Sequence, residues 1–468
     1  MRRIAVDPIT RIEGHLRVEL DVADGQVRAA RSSGALYRGL ERILVGRRPL
    51  DAQRITTRIC GVCPVAHATA AALCLDDALG LQVPPQGMVL RNLILGANFL
   101  HNHILHFYHL ALPDYLDPGV LPQAGLGGLA DFLSPGGPVE DRRLDRTESL
   151  RLVRNYVTAL ALRRRAQELV ALLAGKMPHE MAIVPGGVTC RPGSGDLVAW
   201  RFRLRQVREF VDGPLWEDVL LLVRRYEDHF QLGRTDHVLS FGGFPEPDGG
   251  QALPAGAIVA GEAQPLDEQV IAESVAHAWY QGEDPAPTKE GAYSWIKAPR
   301  YQGVPCEVGP AARMRTGQLL GSGKLRKVID AGLAEAAQTP AALTSTAGRH
   351  LARAIEARYL AEKLTEWAGT VDGGRAAVPW TVPDEAEGRG LACAPRGALL
   401  HRVRIRGGRI AGYQVMSPTT WNASPRDEAG QPGPMEEALA GTKVRGDGLT
   451  EAGRIVRSFD PCLACAVQ

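Results

Sequence analysis

Two C-x-x-C pairs lie towards opposite ends of a 468-residue chain: Cys60 and Cys63 in RICGVCPVAH, and Cys462 and Cys465 in DPCLACAVQ. Each spacing sets two sulfurs close enough to hold one centre, and four converging thiolates make a soft site suited to zinc, nickel or iron. The second pair sits in a short tail that can fold back against the first. Three readings compete on spacing alone: a structural zinc site, a thioredoxin-type redox pair, and two unrelated structural pairs. The redox reading needs only one pair, in a strand-helix-strand setting that neither end offers.

Eight cysteines in this length are too few for a disulfide scaffold. The other four, Cys74, Cys190, Cys306 and Cys393, read as small buried hydrophobes. Lys and Arg number 54 against 52 Asp and Glu, so no global field recruits nucleic acid or an anionic membrane. No apolar run reaches the length of a membrane span, and the start, MRRIAVDPIT, lacks an apolar signal region, so export would have to be arranged by a partner.

Residues 1–55 alternate apolar and polar around a glycine turn, which predicts an N-terminal β-sheet region. Residues 56–180 hold the first C-x-x-C and two helical patterns, 86–116 ending near Pro113 and 148–176 stopping at Gly175. Residues 181–330, dense in Gly, Pro and short strand-like runs, read as a loop-rich α+β lobe. The rest, 331–468, combines a helix over 349–369 with a hairpin about Gly407-Gly408 and ends in the second C-x-x-C. The expectation is a predominantly helical α+β fold, one integrated domain with a central long-helix bundle.

The context of the cysteines separates the three readings. RICGVCPVAH and DPCLAC, together with DPITRIEGHLRVEL, HFYHLALPDY, MPHEMAIVPGGVT, VPCEVGPAARM, APRGALLH and SPTTWN, closely resemble the large, catalytic subunit of nickel-iron hydrogenases. The resemblance implies that Cys60 and Cys462 are terminal nickel ligands, and that Cys63 and Cys465 bridge to an iron carrying carbon monoxide and cyanide. It implies heterolytic, reversible oxidation of H2, with Cys462, Arg396 and Glu13 handling the proton. Arg396 and Thr419 would donate hydrogen bonds to the cyanides, and His67 to a bridging cysteine. Outside these motifs Glu13 would be an exposed hairpin carboxylate, Arg396 a surface cation and His67 a satisfied structural group. His101, His103, His106 and His109 read as hydrogen-bonded packing groups, and Val62 and Leu110 match positions lining the narrow end of a gas channel.

The chain departs from the family pattern at three places. Gln468 stands where most members have histidine or arginine before a peptide removed after nickel insertion, so either the chain is a processed form or no extension is made. Absence of an extension resembles the hydrogen-sensing members, a regulatory alternative, although those carry bulkier residues than Val62 and Leu110. Gln468 also replaces a histidine that ligates magnesium in many relatives, with Glu41 at the matching carboxylate position; an amide oxygen still suits a hard cation. Asn102 stands where many relatives place aspartate. The resemblance further implies an iron-sulfur small subunit, maturation proteins for nickel insertion, and a cytoplasmic, periplasmic or membrane-associated location fixed by a partner's signal.

Overall fold

The computed structural model describes residues 2–129, 141–321, 323–444 and 449–468. Its principal helices are α1 (Pro64–Ala78), α2 (Pro85–Ile104), α3 (Arg146–Ala174), α4 (Ser194–Phe210), α5 (Trp216–Arg225), α6 (Pro310–Leu320), α7 (Thr346–Gly369) and α8 (Leu449–Ser458). Helices hold 47% of the chain and strands 21%, which meets the expectation of a predominantly helical α+β fold.

Local signals place the helix ends. Proline opens α1 and α2, where its missing N–H costs nothing. Asp145 and Glu148 form a reciprocal capping box at the start of α3, and Gly175, at φ 80°, stops it. Helix α2 is buried on nearly every side, so it forms a central rod, with α3 and α7 packed along it. It runs on through a π-helical turn at Leu105–Ala111 and a tight turn at Leu112–Asp114 that contains Pro113.

Nine strands form the three-stranded sheets. The first is β1 (Arg2–Val6), β2 (Leu16–Ala23) and β3 (Gln26–Gly34); the second β4 (Val238–Pro245), β5 (Gln251–Val259) and β6 (Glu262–Gln264); the third β7 (Glu385–Ala394), β8 (Gly397–Arg406) and β9 (Arg409–Met416). All three are antiparallel meanders. In β2, Leu16, Val18 and Leu20 point inward, as the alternation predicts, and pack with Met435, Ile455, Val456 and Leu463 from the other end of the chain.

Within 181–330 the structure contains α4 and α5, which pack onto the helical core as well as the expected strands; Trp200 Nε1 donates to Leu169 O of α3 at 3.0 Å. The glycine and proline density of the segment hid their amphipathic periods. Pro214 does not break the pair because it lies in a π-helical turn, Val211–Leu215, that joins them.

Candidate metal centre

Each C-x-x-C opens a helix. Cys63 caps α1 just before Pro64, and Cys462 caps the short turn Leu463–Ala466. At the first segment backbone N–H groups face sulfur: Val62 N donates to Cys60 Sγ at 3.2 Å and Cys63 N at 3.4 Å. The four sulfurs converge, with all ligand atoms within 4.8 Å of one another and all four residues buried. Cys63 and Cys465 are 3.4 Å apart at sulfur, and Cys462 and Cys60 3.5 Å. Among the described residues this is the one such cluster of metal-ligating side chains.

Hydrogen bonds from the other three thiols hold Cys60 well below the ordinary thiol range, whereas burial drives Cys462 and Cys465 well above it. Four buried sulfurs cannot all ionise without a cation among them. The donor set thus fits a soft divalent metal.

The loop between β1 and β2 meets the C-terminal segment head-on. Leu463 N donates to Glu13 O at 2.8 Å, and Cys462 and Ala464 N both place donors 3.1 Å from Glu13 Oε2. Gly14, at φ 81°, permits this approach, since a Cβ there would lie 2.8 Å from Leu463 Cβ. Glu13 is partly buried. Burial, reinforced by the negative charge at Cys60, raises its pKa despite the two donors.

Beside the C-terminal segment, Arg396 is buried and triply held. Its Nε donates to Asp460 O and its Nη2 to Asp460 Oδ1, both at 3.0 Å, and Nη1 donates to Asn102 Oδ1 at 2.9 Å. Burial opposes its charge, but Asp460 and the cysteine thiolates outweigh burial and hold it cationic. Asn102 in turn donates to Val62 O at 3.2 Å, which an aspartate cannot do. Asp460 adopts φ 59°, a left-handed conformation that aspartate tolerates, and so turns Pro461 and Cys462 toward the cluster. Thr419 Oγ1 accepts from Cys462 N at 2.9 Å, which leaves its hydroxyl proton to donate elsewhere.

His67 Nε2 lies 3.4 Å from Cys465 Sγ. Its other nitrogen meets His401, which meets Tyr413. Neither of these residues was singled out from sequence. The available signal was APRGALLH itself, an apolar run ending on a histidine; β8 is buried on both faces from Gly397 to His401.

Glu41 and Gln468 share a small cavity with Glu273, Tyr280 and Lys297. Lys297 Nζ lies 3.6 Å from Glu41 and 3.5 Å from Glu273. Gln468 Nε2 donates to Ala464 O and Cys465 O, while its Oε1 is buried and has no partner among the described residues. Burial pushes Glu41 up to about 7. An orphaned amide oxygen beside two carboxylates fits a hard cation, with Lys297 as its competitor.

The helix histidines are brought to the core and away from the sulfurs. His103 Nε2 lies 2.8 Å from Glu356, and His106 Nε2 donates to Arg457 O at 2.6 Å. Those two bonds match the packing role; His101 is buried and His109 half-buried beside Tyr156. Val62 and Leu110 are each half-buried.

Residues 38–125 and 138–468 match the profile of a family described as nickel-dependent hydrogenase, and residues 3–33 match one described as HoxL-like. The chain is 40% identical to the periplasmic [NiFeSe] hydrogenase large subunit of Desulfomicrobium baculatum, over 100% of this chain and 95% of the relative. It is 33% identical to the uptake hydrogenase large subunit of Afipia carboxidovorans, again over 100% and 95%. The crystal structure of the reduced Ni-Fe-Se hydrogenase from D. vulgaris Hildenborough superposes with a TM-score of 0.91 at 40% identity, covering 100% of both chains.

Proposed function

The chain belongs to the nickel-dependent hydrogenase family, as an enzyme's large subunit, and we propose that its four cysteines hold a nickel-iron centre that cleaves H2 heterolytically. The observation that carries this reading is Glu13 Oε2 placed 3.1 Å from Cys462 Sγ at the edge of the buried four-sulfur cluster. When bound by Cys60, Cys63, Cys462 and Cys465, the metals would supply a Lewis-acidic centre for H2.

The chain's own groups manage the proton. Cys462 Sγ is placed to accept it and Glu13 Oε2 to receive it from the sulfur. Burial favours the protonated carboxyl, and Ala464 N–H steadies the carboxylate that remains after release. Arg396 stays cationic beside the centre, so it serves as a fixed positive charge and hydrogen-bond donor rather than as the base. With Thr419 it would donate to cyanide ligands, alongside carbon monoxide, on the iron. His67 would donate to Cys465 as a bridging ligand.

Several relatives are uptake hydrogenases, which supports H2 oxidation as the working direction. Electrons must then leave, and the remaining cysteines lie singly, three of them buried. That supports an iron-sulfur small subunit as partner. Assembly of a buried site from both chain ends supports maturation proteins that insert nickel before closure. Glu41 and Gln468 would hold a magnesium ion. No helix among the described residues is long and apolar enough to cross a membrane.

Infrared spectroscopy in the region of metal-bound carbon monoxide and cyanide, with nickel and iron quantified on the same sample, tests this reading. Bands that shift under H2, with one nickel per chain, are expected. A zinc-loaded, nickel-free preparation without such bands sinks it.

A further inference from the structure

Three side chains run outward from Cys465 in single file. His67 Nε2 lies 3.4 Å from Cys465 Sγ, His67 Nδ1 3.2 Å from His401 Nε2, and His401 Nδ1 2.8 Å from Tyr413 Oη. All three residues are buried. The two strands that carry the outer pair hold it rigidly: His401 of β8 is registered with Val415 of β9, and Tyr413 of β9 with Val403 of β8. His401 and Tyr413 are thus diagonal neighbours on one face. Tyr413 also lines an open cavity of about 860 Å³.

Neither ring has a carboxylate partner among the described residues. Both rings are buried, and their hydrogen bonds go to each other, to Cys465 and to Tyr413, a setting in which an imidazole is neutral. Each imidazole therefore carries a single N–H, and three hydrogen bonds share three protons. Only two proton orders satisfy every link. In one, Tyr413 O–H donates to His401 Nδ1, His401 Nε2–H to His67 Nδ1, and His67 Nε2–H to Cys465 Sγ. In the other every donor points away from the centre, and His67 turns a lone pair on the sulfur, which then needs its own S–H. A metal-bound thiolate has no S–H. Only the inward order survives once the cysteine is a ligand.

We propose that His401 and Tyr413 are positioning residues for the metal centre: they fix His67 as the tautomer that donates Nε2–H to Cys465, and so tune how strongly that sulfur donates electrons to the metals. A hydrogen bond donated to a ligand sulfur withdraws charge from it and raises the potential of the centre. The proposal rests on the nickel reading above and adds two residues, one of them linked to the four-sulfur cluster only through two other side chains.

The test uses the metal-loaded enzyme with its partner and reads the midpoint potential of the nickel couple by spectroscopic redox titration, together with nickel per chain. His401→Leu deletes the donor to His67; His401→Gln keeps an N–H at similar reach; Tyr413→Phe removes a single hydroxyl. The expected result is a shift to more negative potential in His401→Leu, a smaller shift the same way in Tyr413→Phe, and a value near wild type in His401→Gln. Packing damage alone would not be rescued by the amide. Wild-type potentials in both His401→Leu and Tyr413→Phe, or equal shifts in His401→Leu and His401→Gln, overturn the assignment. Should His401→Leu fail to load nickel, Tyr413→Phe decides by itself, its shift supporting the proposal and its absence overturning it. A wild-type enzyme that holds zinc and no nickel overturns the nickel reading first, and this assignment falls with it.

Discussion

Glu13 Oε2 accepts from two donors, the sulfur of Cys462 and the backbone of Ala464, in a partly buried place that favours its protonated form. A glutamine there keeps the shape and an acceptor but cannot carry a proton. Glu13→Gln should therefore lower H2-dependent dye reduction by about 10²-fold or more while nickel per chain stays at the wild-type level. A rate within about twofold of wild type would show that the proton leaves by another route. The motifs singled out Glu13, Arg396, Thr419 and His67 as residues, and the fold brings each of them to the two cysteine segments. His401 and Tyr413 were not legible. A histidine in a strand is ordinary, and only the packing of α1 on β8 brings it against His67.

At the scale of elements, α1 is the part that most needs to be fixed, since it carries Cys63 at its cap and His67 one turn on. Strand β7 fixes it. A Cβ on Gly390 would strike Ala70 O and lie 2.5 Å from Cys74 N, so the strand runs against the helix backbone with no room for a side chain. Gly390→Ala must push α1 away and should cost about 1–3 kcal/mol, read as a lower urea midpoint with loss of bound nickel. Gly195→Ala, in open space within α4, should leave the midpoint unchanged or raised. A second junction titrates. Glu436, in the helix Pro434–Leu439, accepts from Ser32 N of β3 and from Tyr293, both at 2.9 Å, and burial pushes it up to about 7. Its native pKa exceeds its unfolded one, so the native state binds more protons between them. Its stabilising contribution is complete below about 4.5 and is lost as pH rises through about 7, on the order of 3 kcal/mol. Glu436→Gln should remove this part of the slope in denaturation curves measured from pH 5 to 8; an unchanged slope would place the titration elsewhere. The α2, α3 and α7 patterns could be read because each is long and keeps its helical period. Helices α4 and α5 were missed because Gly193, Gly213 and Pro214 punctuate them, and tertiary packing on α3 overrides that punctuation.

For the molecule as a whole, the metal centre is also the clasp. The Cys60 segment and the Cys462 segment belong to the two ends of the sequence, and they meet with few other fastenings. Arg38, which donates to Ile59 O at 2.5 Å and to Ala464 O at 3.1 Å, ties both to the loop after β3. Without a cation, the four buried sulfurs are held to one another only by weak shared-proton contacts. Bound metal replaces those protons and binds the folded chain only, because the unfolded chain holds its two pairs far apart. The remote pairing was legible as two matching half-sites; the closure itself was not, since it depends on Gly14 admitting the C-terminal segment to the β1–β2 loop. Nickel-free enzyme should consequently melt several degrees below the loaded form. The deficit should appear first as local release of residues 460–468, read as faster amide exchange there than in α2. Cys465→Ala should reproduce the lower melting temperature and gain nothing from added nickel. Equal melting temperatures with and without nickel, together with unchanged exchange at 460–468, would mean that packing of Leu463 and Val467 against the N-terminal sheet holds the ends together unaided.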